Sequence, residues 1–154
     1  MRVFLADEAA TIALAARLKS ALPETLAGFT VLLEGELGAG KSTFARALIR
    51  AFGHSGPVPS PTYTLVEPYS VPEGMIYHID LYRISSEEEL RYLGWNELDD
   101  GMRLVEWPDR APGLGSSADL RLTLTYERDG RNANFEGLSE TGRRLLTGLA
   151  ESGI

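Results

Sequence analysis

Within eight positions, Gly35-Glu36-Leu37-Gly38-Ala39-Gly40-Lys41-Ser42 bring together what is needed to hold a chain of phosphates. Glycine lets a backbone turn tightly, so that its N–H groups approach phosphate oxygens that a Cβ would keep away. A lysine at the seventh position reaches the β- and γ-phosphates, and a hydroxyl at the eighth ligates Mg²⁺. Gly35, Gly40, Lys41 and Ser42 occupy those positions, and Gly38 adds a further flexible point. A helix starting at Ser42 would contribute the partial positive charge of its N-terminus. From the chain's own Gly, Lys and Ser/Thr frequencies, such a match arises by accident roughly three times per thousand sequences of this length. The segment therefore reads as a site for a nucleoside triphosphate with Mg²⁺, and hydrolysis is the expected reaction.

Such a site also needs an acid on a neighbouring strand to hold the metal or its waters, and a group that positions the attacking water. Asp80 ends the apolar run Met75–Ile79, and Glu106 ends Met102–Val105. Either can equally be an ordinary strand-end carboxylate in water, and the residues alone do not divide the two roles. His78 is either a polar residue on the exposed face of its strand or a member of the site. His54, in a Gly/Pro loop, is expected to be solvated; Arg83 could stabilise phosphate charge, but an isolated arginine after a strand usually pairs with a surface acid. Trp107 is either a partner contact or a core plug, with core packing the default.

The elements that must position these groups follow from local pattern. Val3–Leu5 suits a short first strand. From Glu8 to Leu22, Ile12, Leu14, Ala15, Leu18 and Leu22 recur at helical spacing before Pro23. Phe29–Leu33 is apolar on both faces, as a buried parallel strand would be. Ser42–Phe52 has a stripe of Phe44, Leu48 and Phe52, stopped by Gly53. A Gly/Pro-rich loop covers 53–61, and two strands are expected at Tyr63–Tyr69 and Met75–Leu81, joined by Pro72-Glu73-Gly74. Ser85 or Ser86 opens a short acidic helix, and Met102–Glu106 forms another strand. Leu120, Leu122, Leu124 and Tyr126 alternate, and Asp129-Gly130 signals a hairpin into Arg131–Phe135. A closing helix is expected within about 136–154. The predicted fold is α/β: a single domain over 1–154, with a mixed parallel and antiparallel sheet of the P-loop NTPase type flanked by helices.

With 154 residues there is room for one ordinary domain and not two. No apolar run approaches the roughly 20 residues that span a bilayer, and Asp7-Glu8 interrupt any export signal. Cysteine is absent, which excludes disulfides and thiolate metal sites, so the expected location is the cytoplasm. The net charge is −7 and only Lys19 and Lys41 are lysines, which is not the footprint of a free-standing DNA or RNA binder.

Four segments together resemble the TsaE family: Gly35–Thr43, Ser60-Pro-Thr-Tyr-Thr-Leu-Val66, His78-Ile-Asp-Leu-Tyr-Arg83 and Val105-Glu-Trp-Pro108. The resemblance runs over about residues 5–135. Glu36 and Ser42 stand where many members carry Asp and Thr, and both keep the needed chemistry. It implies an ATPase required for threonylcarbamoyladenosine modification of tRNA at position 37. The implied partners are TsaB and TsaD, the tRNA is met only through that complex, and ATP hydrolysis resets the complex between turnovers. It also implies that Ser42 and Glu106 hold Mg²⁺, with Asp80 nearby as a metal-associated or water-positioning acid. Thr62 would sense the γ-phosphate, Trp107 would lie beside the nucleotide, and Thr11 would touch the adenine side.

Two other readings of a lone P-loop are a small-molecule kinase and a non-catalytic nucleotide switch. A kinase of this size usually carries an arginine-bearing lid, whereas Asp109–Gly115 is short and holds one arginine. A guanine switch normally uses Asn-Lys-x-Asp, which is missing here.

Overall fold

In the computed structural model, which describes residues 1–153, Thr30–Glu34 forms β2, and its first four residues are buried. Val31 and Leu33 pack into one apolar cluster and Leu32 into another, so both faces of this strand are covered. A strand with no polar face belongs in the middle of a sheet. β2 indeed lies between two parallel neighbours, β5 (Gly101–Glu106) and β6 (Leu120–Glu127). Beyond β5 come β4 (Gly74–Asp80), parallel to it, and β3 (Val66–Val71), antiparallel to β4. On the other side β6 turns back into β7 (Gly130–Gly137), which pairs with β1 (Arg2–Leu5). The sheet order is β1-β7-β6-β2-β5-β4-β3, a mixed sheet as expected.

The larger cluster packs three helices, α1 (Glu8–Ala21), α2 (Lys41–Ala51) and α3 (Glu140–Glu151), on one face of the sheet. The other face is covered by short 3₁₀ turns at Glu87–Arg91, Trp95–Asp100, Pro108–Arg110 and Pro112–Ser116. No helix among the described residues is long and apolar enough to cross a membrane.

Several boundaries differ from the local pattern, each for a physical reason. The buried face of α1 is Thr11, Leu14, Ala15 and Leu18, while Ile12 is 52% exposed, because a helical turn carries it off that stripe. The acidic helix is a 3₁₀ turn starting at Glu87. The strand expected from Tyr63 begins only at Val66: Leu65 N–H bonds Pro61 C=O at 2.7 Å and closes a turn over 61–65. Gly130 is not a turn residue but pairs with Glu127 in the ladder. A Cβ there would meet Leu5 C=O at 2.4 Å, so the glycine serves the close approach of β1. The closing helix is confined to Glu140–Glu151, since β7 still occupies 136–137 and Ser139 caps the start by accepting from Gly142 N–H. Residue 154, included in the expected domain, lies outside the described residues.

Candidate active site

Parallel strands β2, β4 and β5 finish at the same edge of the sheet, at Glu34, Asp80 and Glu106. In an open α/β sheet this carboxyl edge is where ligands bind. The glycine-rich loop leaves β2 there and enters α2 at Lys41. Gly35 has φ +150, and a Cβ on it would sit 2.6 Å from Leu124 C=O, so no other residue fits. Gly40 caps α2 with φ +109, which an L side chain rarely adopts. Glu36, Leu37 and Gly38 form the exposed rim of the loop, with Leu37 81% exposed, whereas Ala39 is packed inward.

Lys41 is buried, and its Nζ donates to the carbonyls of Gly35 and of Glu36, the latter at 3.2 Å. The same ammonium lies 3.9 Å from the centre of the Trp107 ring. Burial pushes its pKa below the ordinary lysine value even though Glu106, Asp80 and Asp109 pull the other way. Ser42 Oγ donates toward both Glu106 oxygens, at 3.1 Å each. Glu106 stands in register beside Asp80, and both are buried. Desolvation, with the Glu106 charge adding to it, raises the Asp80 pKa despite the hydrogen bond from Tyr82 N–H at 2.8 Å.

The turn over 61–65 brings Thr62 to this cluster, where its Oγ1 donates to Asp80 Oδ2 at 3.4 Å and contacts Ser60 Oγ at 2.7 Å. Asp80 N–H bonds Leu65 C=O and Leu81 N–H bonds Glu106 C=O, which ties turn, β4 and β5 together. Trp107 has φ 58, a left-handed conformation that is costly for a bulky residue, and this turns its ring back over Lys41. Together these side chains line a cleft of about 370 Å³. A second cleft of about 250 Å³ shares Gly40 and Thr43 with it and is lined also by Ala39, Thr11, Asp7 and Arg131. Thr11 thus lines a cleft that adjoins, through Gly40 and Thr43, the one holding Lys41 and Asp80.

His78 is not on an exposed face: it is 1% exposed and its Nε2 lies 2.5 Å from Glu106 Oε2. His54 packs edge-on against Tyr69 at 4.8 Å, which is more than solvation. Arg83 lies over the Tyr63 ring at 5.2 Å, the contact found for it in place of a carboxylate. Trp107 is half-buried at the cleft wall and not within the core. Two contributors escape any local reading. Arg131 donates through Nε to Ala39 C=O at 3.1 Å and through Nη2 to Gly38 C=O at 3.3 Å, and lies over Tyr126, whose hydroxyl donates to Leu37 C=O at 3.3 Å. The hairpin of β6 and β7 therefore holds carbonyls of the glycine-rich loop.

Residues 5–133 match the protein family described as "Threonylcarbamoyl adenosine biosynthesis protein TsaE". The chain belongs to the TsaE family. Among its relatives, the tRNA threonylcarbamoyladenosine biosynthesis protein TsaE of Haemophilus influenzae is 38% identical over 122 residues, 78% of this chain and 77% of that protein. The protein of the same description from Nostoc is 37% identical over 135 residues, 84% of this chain and 80% of the relative. In fold, the TsaE-family chain resembles the crystal structure of Bacillus subtilis YdiB, with a TM-score of 0.79 and 24% identity over 100% of this chain and 96% of that one.

Proposed function

We propose that this protein is the Mg²⁺-dependent ATPase subunit of the machinery that installs threonylcarbamoyladenosine at position 37 of tRNA. Family membership supports the pathway. The single observation that supports the ATPase is the convergence of Lys41, Ser42, Asp80 and Glu106 on one cleft at the carboxyl edge of the sheet. The donor set suits magnesium: a hydroxyl and two carboxylates are hard oxygen ligands, and Mg²⁺ usually takes one or two carboxylates and completes its shell with phosphate oxygens and water. Two acids buried side by side, one of them with a raised pKa, also gain from a neighbouring cation. The bound ion would neutralise charge on the β- and γ-phosphates.

In this reading Lys41 exchanges its two loop carbonyls for phosphate oxygens, and Ser42 and Glu106 hold the metal. Asp80 either binds a metal-bound water or positions the attacking one, and Thr62 responds to the γ-phosphate through its contact with Asp80. Gly35 to Thr43 cradle the phosphates, Trp107 borders them, and Thr11 lies on the adenine side. The partners are TsaB and TsaD, and hydrolysis resets their complex between turnovers, so the tRNA is met only through them. The deciding experiment is Mg²⁺-dependent ATP turnover by the protein alone and with the purified TsaB–TsaD pair. Low turnover that rises on mixing is expected; no turnover in a verified mixed complex would overturn the reading.

A further inference from the structure

His78 has no part in the roles given so far, yet it is as buried as the core, and it faces the two acids of the cleft. Alternate residues of a strand share a face, so His78 and Asp80 project from the same side of β4, opposite Leu104 and Glu106 of β5. Its Nε2 lies 2.5 Å from Glu106 Oε2, while Nδ1 is buried without a hydrogen-bond partner among the described residues. A contact that short between a ring nitrogen and a carboxylate oxygen needs a proton between them, and a proton on Nδ1 would strand a buried donor. A neutral ring carrying its hydrogen on Nε2 satisfies both conditions. Among the described residues Glu106 is otherwise held only by the Ser42 hydroxyl, which is shared between both its oxygens at equal distance and so does not choose an orientation. Lys41 and Glu106 line the same cleft, and their opposite charges attract.

We infer that His78 is a positioning residue, whose Nε2–H holds Glu106 by one oxygen, keeps it off Lys41 and leaves the other oxygen for the metal. This rests on the proposed function above. Hydrogen-bonded outer partners of this kind orient metal-binding carboxylates. If the pair served packing alone, an apolar side chain of similar volume would do as well or better, because both members are desolvated.

The test uses the full chain as wild type, H78L and H78Q. Glutamine keeps a donor near the position of Nε2; leucine keeps bulk alone. Affinity for a fluorescent non-hydrolysable ATP analogue is measured across a Mg²⁺ titration. H78L is expected to raise the Mg²⁺ concentration needed by about 10–100-fold, with metal-free affinity within about twofold of wild type, and H78Q is expected to recover most of the loss. A merely structural role would shift metal-free affinity and melting temperature together and would not be rescued by glutamine. Nitrogen-15 spectra of the wild-type histidines, assigned with H78Q, should show His78 protonated at Nε2. A bare Nε2, or an H78L titration that overlays wild type, overturns the inference. Turnover of wild type is scored separately: its absence removes the ATPase reading, while the metal dependence of analogue binding and the tautomer still judge His78.

Discussion

Lys41 lies within the field of Glu106, Asp80 and Asp109, and yet burial wins and its pKa falls. Its Nζ donates to two backbone carbonyls and lies over the Trp107 face. A triphosphate offers it far more negative charge, so exchange of partners favours binding. Lys41→Ala is expected to weaken ATP affinity on the order of 100-fold, the worth of a charge-assisted contact, read by titration with a fluorescent analogue. Glu106→Ala should leave analogue binding measurable and lower turnover by about 100-fold or more; wild-type turnover would remove its role. Asp80 carries a different prediction, about stability. Its raised pKa means that ionisation opposes folding above the ordinary aspartate range, so its carboxyl is most favourable in acid and becomes a liability as pH rises. Asp80→Asn keeps the acceptor for Tyr82 N–H and should raise the melting temperature of the nucleotide-free protein at pH 7 by about 2–4 °C, the effect of ~1 kcal/mol in a chain this long. The gain should shrink toward pH 4, and turnover should fall. An unchanged or lower melting temperature at pH 7 would show that the charge is already compensated.

At the scale of elements, what was legible depended on sequence distance. The glycine-rich loop lies between an apolar strand and an amphipathic helix, all contiguous, so local pattern locates these elements, together with the acids that end two other strands. The order of those strands was beyond local pattern: β6 lies beside β2 though nearly 90 residues separate them, and only pairing places Asp119 near Thr30 to accept its N–H at 2.9 Å. His78 was ambiguous because alternation along β4 does not reveal that both faces are covered, whereas the structure buries it against Glu106. Thr62 reached Asp80 through a turn where a β-rich string suggested a strand. Arg131 is the plainest case, since its contacts to Gly38 and Ala39 span more than 90 residues and nothing beside it in the chain marks them. This brace has a measurable consequence. Arg131→Ala should release two loop carbonyls and lower ATP-analogue affinity by about 5–10-fold, with circular dichroism unchanged, because each lost hydrogen bond is worth about 0.5–1.5 kcal/mol. Arg131→Lys should recover only part, having one point charge for a two-pronged contact. Affinity within twofold of wild type in Arg131→Ala would mean that the loop is held without the hairpin.

For the molecule as a whole, charge decides how a protein with an RNA-directed role meets RNA. The net charge is −7, and several of the arginines are already engaged: Arg121 with Glu34 and Glu136, Arg144 with Glu140, and Arg131 with the loop. The 87–100 stretch adds Glu87, Glu88, Glu89, Glu97, Asp99 and Asp100 on the face opposite the α-helices. RNA affinity without base readout comes mainly from phosphate neutralisation and counterion release, which requires a clustered cationic face. Arg83 and Arg110 are exposed and lie over the rings of Tyr63 and Tyr82, while Glu106, Asp80 and Asp109 surround Lys41 with opposing charge. The protein alone is therefore expected to retain little tRNA on a filter at about 0.15 M salt, where screening acts over about 8 Å. Retention should appear when the partner pair is added, and the steep decrease of log affinity with log salt should belong to that complex. Tight binding by the isolated protein, with a slope showing several phosphates neutralised, would mean that the chain grips RNA directly and that the partners are not needed to bring it there. Tyr82 lines the cleft and carries Arg110 over its ring, so the comparison should be made with and without Mg²⁺–ATP. Loss of any weak RNA retention on adding nucleotide would place RNA and ATP in competition for one edge of the sheet, whereas indifference to nucleotide would leave that edge to ATP and the partner proteins.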